Sequence, residues 1–181
     1  MKQTVKLILI TTILSIVCDN GYSQKSYRTT NGHVLINGVY EDSVFTAKSH
    51  KLILEYDAGN KTINGNLNLQ TFSSDVLYID SIISQKPIYI NIAGSIPVDF
   101  ISWNHSDYNL DIPLEIKFNK IVIVVPAEIK LSHAENLPPH TCIMSVNFNV
   151  KLSDFMINIP KQLNETINVQ FLQLILRQKY K

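Results

Sequence analysis

The stretch Thr62-Ile63-Asn64-Gly65-Asn66-Leu67-Asn68-Leu69-Gln70 alternates polar residues with apolar or small ones, and Leu110-Asp111-Ile112-Pro113-Leu114-Glu115-Ile116-Lys117-Phe118 repeats the pattern. Ile63, Gly65, Leu67 and Leu69 fall on one side of an extended chain; Leu110, Ile112, Leu114, Ile116 and Phe118 fall on one side of another. Side chains of a strand switch face at every residue, so a period of two marks a sheet with one face on a core and the other in water. Such half-buried strands belong to antiparallel sheets. The fold class is all-β.

The same parity extends outward from these two runs. Ile121, Ile123, Val125, Ala127, Ile129 and Leu131 hold one face over eleven residues, a strand of roughly 36 Å at about 3.3 Å per residue. The tight Asn119-Lys120 link makes it the antiparallel neighbour of the Leu110 strand. Cys142, Met144, Val146, Phe148, Val150 and Leu152 alternate with Ser145, Asn147, Asn149 and Lys151. Further strand candidates are His33 to Tyr40, Val44 to His50, Lys51 to Tyr56, Val76 to Ile83 and Pro87 to Ile96. Between them, Asp57-Ala58-Gly59-Asn60 supplies turn residues, with Gly59 suited to positive φ. Near the C-terminus, Ile167, Val169 and Phe171 give way to Leu172, Leu174 and Leu176. One extra residue in a bulge explains that change of parity, and a helix from Phe171 is the competing reading. Long strands suit a single antiparallel barrel of about eight strands, with a β-sandwich as the alternative.

The first residues carry a different signal. Lys2 and Lys6 precede an apolar run from Leu7 to Val17, which ends at Asp19-Asn20-Gly21 and offers Gly21-Tyr22-Ser23 as a small-x-small exit. This is the anatomy of a secretory signal, and the run is shorter than the roughly 20 apolar residues of a spanning helix. The expected division is a signal peptide over 1–23 and one barrel domain over 24–181, periplasmic or secreted and without a stable membrane anchor. Cys18 leaves a lipoprotein as the minor alternative. Removing Lys2, Lys6 and Asp19 from 16 basic and 15 acidic residues leaves 14 of each. A balanced charge gives no electrostatic footprint for nucleic acid or for an anionic membrane surface. Cys142 is then the lone cysteine, so stability rests on a core and not on a disulfide.

Two phrases carry a family resemblance. Lys61-Thr62-Ile63-Asn64-Gly65-Asn66-Leu67 resembles the second strand of the YceI-like family, and Leu152-Ser153-Asp154-Phe155-Met156-Ile157-Asn158-Ile159-Pro160 is similar to its closing phrase, with an aspartate and an aromatic before a proline. The resemblance spans roughly Val44 to Leu176. It implies an exported, lipocalin-like barrel of eight antiparallel strands that holds an isoprenoid or other lipid chain. The family's Asp-x-x-His-Ser phrase and its central arginine phrase are absent from this sequence.

Parity supplies the lumen candidates: Leu67, Leu69, Ile112, Leu114, Ile123, Val125, Met144, Val146 and Phe148. A small barrel's interior is either filled by such side chains or opened into a cavity for one ligand, and both versions stay open here. For metal chemistry, His133, His140 and Cys142 flank Leu137-Pro138-Pro139, ligand types without the spacing of a recognised site. His33 and His105 stand in polar tracts with no evident partner. No nucleophile elbow and no cofactor signature is present, and Glu41-Asp42, if in a strand, would point to opposite faces. The three sequons at Asn60, Asn104 and Asn164 matter only in a eukaryotic secretory pathway. The reading is a binding protein for an apolar ligand, with no catalysis and no cofactor. A metal-binding protein or enzyme using the His133 to Cys142 loop and a sandwich without a cavity are the alternatives. Export should remove the segment ending at Ser23, and the intact mass of the mature protein should correspond to a chain beginning at Gln24; a diacylated product beginning at Cys18 would mark a lipoprotein instead.

Overall fold

The computed structural model describes residues 26–84, 87–97, 107–133, 141–156 and 160–178. Its strands are β1 (Ser26–Tyr40), β2 (Ser43–Asp57), β3 (Thr62–Asn68), β4 (Ser73–Ser74), β5 (Tyr89–Ser95), β6 (Tyr108–Phe118), β7 (Ile121–Ser132), β8 (Thr141–Lys151) and β9 (Thr166–Gln178), with one helix, α1 (Leu77–Ser84). The order β1-β9-β8-β7-β6-β5-β3-β2 closes on itself through the β1–β2 pairing, and the short β4 attaches to β2. Eight antiparallel strands therefore form a closed barrel. Closure excludes the sandwich.

Strand parity does the sorting. Ile112, Leu114 and Ile116 of β6 and Val125, Ala127, Ile129 and Leu131 of β7 are buried, while Asp111, Glu115, Lys117, Glu128 and Lys130 are exposed. Phe118 pairs with Ile121 and Leu114 with Val125, so the two apolar rows share the inner face. The Asn119-Lys120 turn that sets this register holds Asn119 at φ 54°. On the outside, amides form a ladder: Asn168 Nδ2 donates to Asn147 Oδ1 at 2.8 Å and Asn149 Oδ1 at 3.0 Å, and Gln170 Nε2 donates to Asn168 Oδ1 at 2.8 Å.

The C-terminal segment is a strand, which overturns the helix alternative from Phe171. Met144 pairs with Leu174 and Val146 with Phe171, so the bulged β9 fits one residue more than β8 between those pairs. Gln173 takes φ 45° there. The bulge restores the inner face to Leu174 and Leu176, both buried, and leaves Leu172 outside.

Three local expectations are corrected. Val76 to Ile83 is not a strand but the start and body of α1. Ser74 Oγ accepts from the Val76 N–H at 3.2 Å and the Asp80 carboxylate accepts from the Ser74 N–H at 3.0 Å, satisfying backbone donors at the helix start. Glu41 and Asp42 are not strand residues; they are the two-residue turn between β1 and β2, at φ 49° and 63°. Positive φ at both positions gives the primed turn geometry that matches strand twist. Val44 to His50 and Lys51 to Tyr56, expected as two strands, form one, β2. In the next turn the positive φ belongs to Lys61, at 56°, and not to Gly59. Asp57 holds that turn, its carboxylate accepting from the N–H groups of Gly59 and Asn60 at 2.8 and 3.2 Å and from Asn60 Nδ2 at 2.8 Å. These bonds, those from Asn60 foremost, lower the Asp57 pKa below its ordinary value.

Gly32 shows how tightly the inner wall is filled. A Cβ there would lie 2.8 Å from Leu174 Cδ2, 3.0 Å from Leu52 Cβ and 3.2 Å from the Leu52 carbonyl. The last two belong to backbone-anchored atoms that cannot swing aside. Gly32→Ala should therefore lower the unfolding free energy by about 1–3 kcal/mol, the usual penalty of overpacking, measured by urea denaturation.

Candidate ligand pocket at one end of the barrel

The barrel's two ends differ. At the end carrying the β2–β3 turn, Tyr27, Tyr56, Ile96, Leu131, Cys142 and Leu176 are fully or almost fully buried. Tyr27 faces Tyr56 with ring centroids 6.4 Å apart, and the Ile96 N–H donates to the Lys61 carbonyl at 2.8 Å. At the end carrying the β1–β2 and β6–β7 turns, the strands stop short of one another and an apolar pocket of about 320 Å³ remains. That volume lies within the small-molecule range, at its lower limit.

The pocket is built from strand ends and two short caps. Ile36 of β1, Phe45 and Ala47 of β2, Ile90 of β5 and Phe118 of β6 form its walls. Leu69 belongs to the 3-10 turn Leu69–Thr71 that ends β3, and Phe155 to the 3-10 turn Leu152–Phe155 that ends β8. Helix α1 lies over the opening and contributes Ile79, Ile82 and Ile83. Phe118 and Phe155 meet edge to face at 5.6 Å. Among the described residues, no lining side chain is ionisable or an amide, so these walls offer a ligand dispersion and desolvation.

Large apolar side chains are also exposed near the lining residues in sequence. Val44, Tyr89 and Met156 each adjoin a lining residue and are exposed, and Leu77 and Tyr78 lie exposed on α1. Tyr78 stacks on Tyr40 with centroids 5.2 Å apart. Leu77 is 87 % and Met156 85 % exposed, which is unusual for side chains of this size.

Of the lumen candidates, Leu69 borders this pocket. Leu67, Ile112, Leu114, Val125, Met144, Val146 and Phe148 are buried in the packed interior, and Ile123 is half-buried against it. Phe148 and Phe171 interlock at 5.6 Å and 86° in that interior. Among the described residues these side chains belong to the hydrophobic core, and the apolar pocket lies toward one end. Sequence reasoning missed Phe45, Phe72, Ile79, Ile83 and Phe155 because they come from strand ends, 3-10 turns and a helix, where a period of two carries no information.

The His133, His140 and Cys142 trio divides. His133 is half-buried and its Nδ1 donates to the Thr141 carbonyl at 2.9 Å. Cys142 points into the core, and His140 lies outside the described residues. Among the described residues, no group of three or more His, Cys, Asp or Glu side chains gathers as metal ligands would. No described helix is long and apolar enough to cross a membrane.

No protein-family model matches the sequence, and neither does any curated protein. Solved structures do match in shape. A polyisoprenoid-binding domain from Saccharophagus degradans, implicated in plant cell wall breakdown, covers 86 % of this chain and 99 % of its own with a TM-score of 0.68 at 8 % identity. Burkholderia cenocepacia BcnA covers 79 % of this chain and 94 % of its own with a TM-score of 0.54 at 10 % identity. Both are YceI-like structures, so the resemblance carried by the sequence holds for the fold.

Burial pushes the Cys142 thiol up to about 12 from 9.0. Between those values the folded state keeps a proton that the unfolded state loses, so stability is unaffected by this group below about pH 9 and falls as the pH rises across the window. Native protein should resist thiol alkylation at Cys142 at neutral pH, by peptide mapping, and react once unfolded. The alkaline loss of stability should shrink in Cys142→Ala.

Proposed function

We propose that this protein is an exported carrier that holds an apolar chain in the end pocket and performs no reaction on it. The observation that supports this most directly is the pocket itself: about 320 Å³, walled among the described residues by aliphatic and phenylalanine side chains. An ordinary domain packs such residues against one another; here α1 and the Leu152–Phe155 turn hold them apart. The ligand class is an isoprenoid or another lipid tail. The described lining is wholly apolar, which suits the tail of such a ligand and leaves a head group outside the pocket. The polyisoprenoid-binding domain that shares the fold supports an isoprenoid, and the apolar first segment supports export. Branched walls of isoleucine and phenylalanine suit a methyl-branched chain as well as a straight one.

Native mass spectrometry of protein purified from its own envelope should show an apolar adduct released by organic solvent. Titration with farnesol and with a fluorescent long-chain fatty acid should show saturable binding. Leu69→Trp, which fills the pocket, should weaken binding at least tenfold while leaving the barrel's circular dichroism unchanged. Equal binding by a folded Leu69→Trp protein would remove the pocket from the account.

A further inference from the structure

His33 on β1 and His50 on β2 face each other across the seam that closes the barrel, both exposed on its outer wall. Their Nδ1 atoms are 2.8 Å apart, and the rings meet edge to face, with centroids 4.3 Å apart and planes at 81°. The hairpin register puts them there. Tyr40 pairs with Ser43 and Val34 with Ser49, and the next pair is Gly32 with Leu52, so His33 lies where the register shifts, opposite His50 and Lys51. The flanking pairs, Val34 with Ser49 and Gly32 with Leu52, hold the two residues side by side on the outer wall.

As neutral imidazoles, one Nδ1 donates its proton to the other. The same separation has a second meaning. Two nitrogens about 2.0 Å from a common metal stand about 2.8 Å apart when they subtend a right angle, and about 3.3 Å apart at the tetrahedral angle. The right angle is that of tetragonal Cu²⁺ or Ni²⁺. We propose that His33 and His50 form a two-imidazole chelate for a divalent first-row metal of tetragonal habit, Cu²⁺ foremost, with water filling the remaining positions on the solvent side. Binding uses both Nδ1 lone pairs, so the proton between the rings moves through solvent to Nε2 of the ring that carried it. Both rings stay neutral, and no electron is transferred. Affinity should follow Cu²⁺ above Ni²⁺ above Zn²⁺, because a tetrahedral ion would require the nitrogens to spread by about half an ångström. The site lies on the outer face and is separate from the apolar pocket, none of whose lining residues belongs to it.

The test uses metal-stripped full-length protein titrated with Cu²⁺, read by electron paramagnetic resonance and by thermal unfolding. One equivalent of Cu²⁺ with equatorial nitrogen ligation is expected, together with a rise in Tm at excess metal, since a chelate across β1 and β2 binds only the folded chain. His33→Gln and His50→Gln should each lower the affinity at least tenfold, and both substitutions are at exposed positions that leave the core intact. His133→Gln should bind as the unaltered protein does. Unchanged affinity in both His33→Gln and His50→Gln, loss of binding in His133→Gln alone, or no Cu²⁺-dependent rise in Tm would each overturn the proposal.

Discussion

The pairing of β1 with β2 is the interaction on which the rest depends. These strands run fifteen residues each, are joined by the Glu41-Asp42 turn, and are the pair that converts an eight-stranded sheet into a closed barrel. A closed sheet has no open edge, and its inner parity becomes a core. Every other strand then needs only to place one apolar row inward. The bulge at Gln173 shows the constraint acting: without an extra residue, Leu174 and Leu176 would lie on the outer face, and the chain accepts a left-handed residue to avoid it.

Much of this was legible in the sequence because parity is a strong signal. The Ile112-Leu114-Ile116 and Val125-Ala127-Ile129 rows, the Asn119-Lys120 link and the change of parity after Phe171 all carry their structural meaning in residue order. What failed had no such signal. Val76 to Ile83 is a short apolar run that reads equally as strand or helix; at its start Ser74 Oγ accepts from the Val76 N–H, and Asp80 reaches back to the Ser74 N–H. Glu41 and Asp42 carry no glycine or asparagine to announce positive φ, yet that turn sets the register of two strands. His33, without an evident partner in the sequence, meets His50 where the β1–β2 register shifts, a bulge that residue order does not announce.

The pocket follows from the same economy of pattern. Alternation fills the barrel's middle with Leu114, Ile129 and Met144, all fully buried, and an eight-stranded barrel has little width to spare beyond such side chains. Open volume can survive only where alternation stops. At one end the strands lead into tight packing around Tyr27 and Tyr56. At the other, β3 and β8 end in 3-10 turns and α1 crosses over, so the walls diverge around Leu69, Phe118 and Phe155. The candidate residues chosen from parity alone are core for this reason, and those that border the pocket are residues of caps and ends.

This arrangement constrains how an apolar chain would enter. At the other end the described residues Tyr56, Leu131 and Cys142 are wholly buried, so in the proposed reading entry and exit use the opening beside α1. Ile79, Ile82 and Ile83 all come from that one helix of eight residues. It is tied to the barrel by the two-residue β4 and by the Asp75 carboxylate accepting from the Thr46 N–H at 3.1 Å, attachments far slighter than the ladders of the wall. A segment with few backbone ties opens at lower free energy than the strands around it. Movement of α1 would widen the pocket without disturbing β1–β2 closure, which places the carrier's stability and its access on separate parts of the fold.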